Sequence, residues 1–450
     1  MNTELEKKKI LPLLIKFSIP STIAVLINMI YNITDRYFIG QNVGRDGIGA
    51  LAIIFPITIL IGGIGMFFAI GGASAAGIKL GERDKDGAEK VLGTTIFWIL
   101  IIGLSLTGLI LFNLTPILEI LGASKNNIGY AYTYYAYIIP TLMLQLVFMS
   151  LNAFIRTEGN PMLSMKINLL GAVLNTILDY ILIVRFGMGI KGAAIGTAAA
   201  GVVPAIIQLY HFFRSDIITL KLKNIRPNLE VMMEISKIGI GSFLNQFLNG
   251  VSVYIMNIKL NYYGGDLAIA AVGIVSTSRN FINTSFIGFN QGRQPILSYN
   301  YGAKKFDRVK ETFILSTKIT FTVALILVFV VVGNSDTVAR FFVNDEKLIE
   351  FTAHAIKLNL FMMVSTALYL SGTNYFQAVG KGKKTTQLLT IRLAVLTIPL
   401  IYILPVFWGL NGVWLAFPIS DTIAAIIAMY FMKKEFKEME GNSSVESISL

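Results

Sequence analysis

No cysteine occurs anywhere in this chain of 450 residues. That absence excludes disulfides, thiolate nucleophiles and cysteine-ligated metal, without fixing a redox compartment. Histidine is nearly absent too. His211 and His354 are the only two, and neither has a metal-ligating partner at suitable spacing. No metal site is therefore expected beyond Na+ at the acidic residues described below. The missing His and Asp cluster also argues against an integral-membrane enzyme. There is no phosphate-binding glycine loop, so ATP is not the expected energy source and Gly71-Gly72 reads as helix packing. Charge is scarce at 14%, against about 25% in soluble globular chains. An ordinary soluble globule is excluded.

What fills the sequence is apolar. Hydrophobic residues make up 54% and mean hydropathy is +0.66. A bilayer is spanned by a helix of about 20 apolar residues. Twelve stretches qualify: 12–34, 47–72, 91–113, 130–155, 162–184, 192–213, 235–260, 267–292, 313–333, 350–378, 385–408 and 411–432. They run without period-two alternation, which disfavours a β-barrel. Backbone in lipid must satisfy its own hydrogen bonds, so the fold class is an all-α polytopic membrane protein. Pro20, Pro56, Pro140, Pro204, Pro295, Pro399 and Pro418 fall inside these stretches and predict kinks.

The net charge of +12 does not point to nucleic acid, because the basic residues sit in alternate loops. One side carries Lys7–Lys9 and Lys16, Lys79–Lys90, Arg156, Arg214–Arg226, Lys304–Lys310, Lys381–Lys384 and Lys433–Lys437; the other holds few, such as Arg45, Lys125, Lys191 and Lys347. The positive-inside rule then places both termini in the cytoplasm. The lysines before the first run resemble a signal peptide, but the run is too long and lacks a small-residue cleavage site, so it reads as helix 1.

The chain repeats itself. An offset of 221 residues takes Ser21 to Ser242, Asn28 to Asn249, Gly81 to Gly302 and Gly159 to Gly380. Gly-Ile-Lys-Gly at 189–192 meets Gly-Leu-Asn-Gly at 409–412 at an offset of 220. One offset over distant landmarks marks a duplication. The expected organisation is an N-lobe at 1–213, a linker at 214–234, a C-lobe at 235–434 and a polar, mobile tail at 435–450. Each half holds an even number of helices, so both enter the membrane alike, as in transporters built on parallel repeats.

Ionisable residues in membrane helices cost roughly 2.5–3.5 kcal/mol and mark function. Asn28, Tyr31, Asn32 and Asp35 fall on one face of helix 1, and Asn175 and Asp179 are neighbours on helix 5. Thr197 lies in the small-residue run Gly192–Ala200, which allows close helix approach. Two carboxylates, an amide and a hydroxyl suit a proton or Na+, and both stay open. The alternatives are a boundary pair of Asp35 with Arg36, and Asp179 as a helix-end residue near Arg185. The offset takes Asp35 to Met256, Asn175 to Leu396, Asp179 to Leu400 and Thr197 to Phe417 or Pro418. The second half should therefore have lost the polar cluster, with Asp421 read as structural. Glu158 is expected at the inner mouth, or as a turn residue paired with Arg156. Cavity candidates are Tyr31, Asn32, Asn249, Met256 and Gln291.

Four stretches, Asp35–Gly40, Arg156–Pro161, Asn175–Asp179 and Gly288–Ala303, resemble the multidrug and toxic compound extrusion (MATE) family, in its DinF-like and MepA-like bacterial branch. The likeness covers nearly the whole chain. It implies twelve helices in two lobes around a cavity that opens alternately to each side. It also implies a monomer that needs no cofactor and exchanges cationic, amphipathic drugs for H+ or Na+. By position, Asp35, Asn175, Asp179 and Thr197 match the family's N-lobe cation site. Another branch carries acids in helices 7 and 10; here helix 7 has Asn257 and helix 10 none, which puts a C-lobe cation site in doubt. Arg293 stands where an apolar residue is common. A flippase for a lipid-linked precursor is the alternative, and would show a strongly basic cavity.

Overall fold

The computed structural model describes residues 3–124 and 127–448, without the side chains of Thr3, Arg45 and 441–448; Lys125 and the last two residues lie outside it. Twelve long helices carry the chain. The first six are α1 (Ile10–Asn42), α2 (Arg45–Gly81), α3 (Lys85–Phe112), α4 (Ile128–Thr157), α5 (Pro161–Arg185) and α6 (Gly189–Arg214). Helices α7 and α8 share the path 229–302, divided at Gly265, whose φ is 56°. Then come α9 (Phe306–Gly333) and α10 (Glu346–Ala378). The last path, 382–448, divides at Gly409 (φ 53°) into α11 and α12. Nine of the helical segments described are long and apolar enough to cross a membrane, Gly382–Glu440 among them. The path of α7 and α8 falls short because Asn245, Gln246, Asn249, Asn257, Arg279 and Asn280 punctuate it.

Local chemistry sets the breaks. Asn160 caps α5 by accepting from the Leu163 N–H at 3.1 Å, with Pro161 in the first turn, where no N–H is needed. Pro140 sits in a tight 3-10 turn, Ile139–Thr141, inside α4. Pro399 follows a widened π-turn, Ile391–Thr397, in α11; proline cannot donate to the preceding turn, which loosens it. A second π-turn, Tyr180–Arg185, begins directly after Asp179. The other five prolines expected to kink helices lie within them without interrupting them.

The duplication is visible in the backbone. Arg83 and Lys304, 221 positions apart, are the two non-glycine residues with positive φ (63° and 54°) among those described, and Gly159 and Gly380 match at 95° and 77°. The lobes meet most tightly at another repeated pair. A Cβ on Gly81 would lie 2.1 Å from the Tyr299 carbonyl oxygen, and one on Gly302 would lie 2.0 Å from that of Ile78. Only glycine permits that crossing of α2 and α8.

This crossing lies at the basic face, the one with the lysine-rich turns. The hydrogen bonds joining the lobes lie in that half: Ser18 Oγ to the Phe289 carbonyl at 3.2 Å, and Gln294 Nε2 to Ser74 Oγ at 2.7 Å. A short helix before α1, Thr3–Lys7, completes the seal. Its Leu5 is fully buried, and the Leu5 carbonyl accepts from Asn300 (3.3 Å) and Arg308 (3.1 Å) of the other lobe.

Two buried glutamates clamp the linker to the first lobe. Glu158 accepts from Ser215 Oγ (2.5 Å) and the Ile218 N–H (3.1 Å), and bonds His211 Nε2 at 2.8 Å. Glu89 accepts from the Thr219 N–H at 3.3 Å and pairs with Lys221 at 2.5 Å. The expectation for Glu158 is thus corrected. It is buried against the linker and lines no cavity mouth, while Arg156 donates instead to Asn152 (2.6 Å) and Ser164 (3.2 Å). The mobile tail also needs correcting, because α12 runs on as helix to Ile448 and Glu435 is fully buried between Lys381 (2.5 Å) and Lys384 (2.7 Å). Two lysines on its own lobe give that polar segment a partner.

Candidate functional site

Four helices of the first lobe converge on one buried polar group. Asp35 of α1 and Asp179 of α5 are both buried. Each has an unpartnered buried oxygen, Oδ1. With its amide oriented to satisfy its neighbours, Asn175 donates to Asp179 Oδ2 at 3.1 Å and accepts from the Thr197 N–H at 3.2 Å. Thr197 Oγ1 lies 3.5 Å from the Tyr134 hydroxyl of α4. Asp35, Asn175, Asp179 and Thr197 thus come together in one group. The alternative boundary pair is not formed: Arg36 is exposed while Asp35 is buried. Arg185 stacks on Tyr180, 5.7 Å from its ring centre.

The sequence reading missed two members. Tyr134 hides in the aromatic run Tyr130–Tyr137, where nothing separates a site tyrosine from packing. Gly196 lets α6 approach: a Cβ there would lie 2.3 Å from Asp179 Oδ1. The small-residue run was the available signal. From this group a polar line continues along α1 and α5, where Asn28 Nδ2 donates to Asn168 Oδ1 at 3.3 Å.

The cavity candidates divide. Asn32 and Asn249 are exposed, and Tyr31 and Gln291 are half-buried. Met256 is corrected: it is buried in the second lobe's core with Leu260, Trp414 and Phe417, against which Leu400 packs. The repeat counterparts of Asp35, Asp179 and Thr197 have therefore become one apolar cluster. Beside it stands a charged one. Asp421 of α12 accepts from Arg392 Nε of α11 at 2.6 Å, from Arg279 Nη2 of α8 at 3.1 Å and from Thr366 Oγ1 of α10 at 2.5 Å. The second lobe was expected to hold little ionisable besides Asp421; the fold gives that residue two arginines. Arg293 is fully buried, donating to Ser316 (2.9 Å), Asn374 (3.3 Å) and the Ser371 carbonyl (2.6 Å). It ties α8 to α9 and α10.

Two similar six-helix lobes, a seam sealed at one face and a buried acid pair within one lobe define a multi-pass membrane transporter, not an enzyme. The MatE family model matches the chain twice, over residues 20–181 and 242–403. The chain belongs to this family. Its relatives include the multidrug export protein MepA of Staphylococcus saprophyticus, 30% identical over 427 residues and covering 94% of both chains. MepA of Staphylococcus aureus is 30% identical over 428 residues, again with 94% of both covered. Among solved structures, an outward-facing multidrug resistance MATE family transporter superposes with a TM-score of 0.92 at 23% identity, over 97% of this chain and 98% of that one. A MATE structure in the bent conformation gives 0.91, also at 23% identity, with 98% of each covered. These likenesses establish the two-lobed, twelve-helix fold.

Proposed function

We propose that this chain exports cationic, amphipathic drugs across a bacterial inner membrane in exchange for protons taken up at Asp35 and Asp179. The observation that carries the proposal is the two buried acids, each with a buried oxygen that has no partner. Burial and a second carboxyl nearby both favour the protonated form of an acid, which favours H+ over Na+ as the driving ion. The curated relatives are multidrug exporters, and this chain aligns with almost their full length.

The basic face is taken as cytoplasmic, with both termini there. The inter-lobe seam at that face then closes the inner side. Protonation of Asp35 and Asp179 from outside weakens substrate binding and lets the lobes rock inward. A cationic drug enters the cleft between Tyr31, Asn32, Asn249 and Gln291, its charge drawn to the acids, and the proton leaves. One charge moving down 100 mV supplies about 2.3 kcal/mol, roughly a 50-fold gradient. One chain forms the whole cleft, so a monomer suffices, in contact with membrane lipid and without a cofactor. The flippase reading gains no support, because Arg279, Arg293 and Arg392 are engaged inside the second lobe rather than along the cleft.

The test is substrate-stimulated flux in proteoliposomes. A proton gradient should drive export of a lipophilic cation such as tetraphenylphosphonium, and Asp35→Asn or Asp179→Asn should abolish it. Driving by a Na+ gradient alone would reassign the ion; unchanged transport in both variants would overturn the site.

A further inference from the structure

We infer that the second lobe carries its cation as part of the protein: the guanidiniums of Arg279 and Arg392 fill the place an exchangeable ion would take at Asp421, so the first lobe alone sets how many ions move per cycle. This rests on the reading of Asp35 and Asp179 as the driving-ion site.

The contrast between the acids carries the argument. Each first-lobe acid keeps a buried oxygen without a partner. Asp421 is equally buried, yet its Oδ1 is taken by Arg392 and its Oδ2 by Arg279 and Thr366. A small cation needs carboxylate oxygens it can approach, and here permanent cations already hold them. Protonating Asp421 would leave two buried guanidiniums with no counter-charge, which is strongly disfavoured.

The arrangement is held from every side. Arg279 also donates to Asn359 Oδ1 at 3.3 Å and lies over the Phe417 ring at 4.4 Å. Phe417 is the repeat counterpart of Thr197 at an offset of 220. The guanidinium thus reaches the second lobe's equivalent of the acid site, but from α8, whose first-lobe counterpart α2 carries Thr58 at the matching position. Arg392 lies over Tyr369 at 4.8 Å, and its carbonyl accepts from Thr397 and Ser420, both at 2.8 Å. Arg279, Arg392 and Tyr369 are the titratable groups facing Asp421 from α8, α11 and α10. Two positive charges against one negative repel any further cation.

A built-in reporter makes this testable. Trp414 is buried, and its carbonyl accepts from Asn359 Nδ2 at 3.0 Å. Trp98→Phe and Trp408→Phe leave it as the sole tryptophan. Its emission should stay flat from about pH 5 to 9 and on adding Na+. Arg279→Gln, which frees Asp421 Oδ2 on one side, should introduce a pH- or Na+-dependent shift. In parallel, the double variant Asp35→Asn/Asp179→Asn should leave no coupled ion flux. The inference is overturned if Trp414 responds with both arginines present and Asp421→Asn removes the response. A folded Arg279→Gln protein that stays silent overturns it too, as does ion flux persisting at a reduced ratio in Asp35→Asn/Asp179→Asn; should Arg279→Gln not fold, that flux ratio decides. Ion flux wholly unchanged in Asp35→Asn and Asp179→Asn would instead sink the first-lobe reading.

Discussion

Glu6, on the short helix before α1, holds Lys305 of the α8–α9 turn in an ion pair of 2.8 Å that joins the two lobes. The same carboxylate lies 3.7 Å from Arg83 of the equivalent turn in the first lobe. Leu5, one residue earlier, is buried in the seam. The N-terminal helix therefore acts as a bolt across the sealed face. Leu5→Ala should weaken it more than Glu6→Ala, because burying a leucine contributes about 2 kcal/mol or more, whereas exposed ion pairs contribute under about 1 kcal/mol. The chain lacks cysteine, so spin labels at Asp86→Cys and Asp307→Cys report the lobe separation without background. Leu5→Ala should move the distance distribution outward, by roughly a tenfold change in population or more. An unchanged distribution would show that the bolt does not hold the seam.

The bolt should withstand mild acid. The hydrogen bond from Lys305 holds the Glu6 carboxyl below the usual glutamate range, against an upward push from partial burial. A depressed pKa means the contact is fully present above the unfolded value of about 4.3 and is lost as pH falls through the lowered one. The spin-label distance should then hold steady from about pH 8 to pH 5. Opening within that window would point to another titrating group.

The three buried aspartates should respond oppositely to loss of charge. Asp421→Asn leaves two buried guanidiniums short of a counter-charge and should cost about 3–5 kcal/mol, visible as a lower thermal midpoint. Asp35→Asn and Asp179→Asn each remove a buried carboxyl that forms no ion pair and should leave that midpoint unchanged or higher while transport is lost. Equal destabilisation by all three would contradict the division between an exchanging lobe and a locked one.

Gly196→Ala should inactivate without unfolding. The added methyl would come within 2.3 Å of Asp179 Oδ1 and push α6 away from the acid pair. Drug efflux should fall by about tenfold, corresponding to about 1.4 kcal/mol, while folded protein is still recovered. Thr197→Ala keeps the backbone N–H that Asn175 uses and should be milder.

The linker clamp has its own signature. Glu158→Ala leaves the Ile218 N–H and the Ser215 hydroxyl without an acceptor, a loss of about 1–3 kcal/mol. Limited proteolysis should then cut faster within 215–221, with transport reduced because the lobes lose a fixed pivot. Cleavage at the wild-type rate would mean that Glu89 and Lys221 hold the linker unaided.

Much of this molecule can be read in the sequence, for identifiable reasons. Lipid forces any long apolar segment into a helix, so the spans follow from hydropathy. Asn28, Tyr31, Asn32 and Asp35 share a face by spacing alone, and an acid in such a segment must find a partner. Met256 was misplaced because spacing does not say which arc of α7 meets the core. Glu158 was misplaced because a turn glutamate gives no hint that a linker 57 residues later will cover it.

Sequence by itself determined twelve spans, the duplication, the basic face and the four residues around the acid pair. All of these depend on local periodicity or on repeats of one pattern. Tertiary structure decided what lies between distant residues. It closed the basic face with the N-terminal helix and let Gly196 bring α6 against Asp179. It also joined Arg279 to Asp421 across 142 positions. A buried charge can be stabilised by any partner the packing brings within reach, and packing, not spacing, chooses which one arrives.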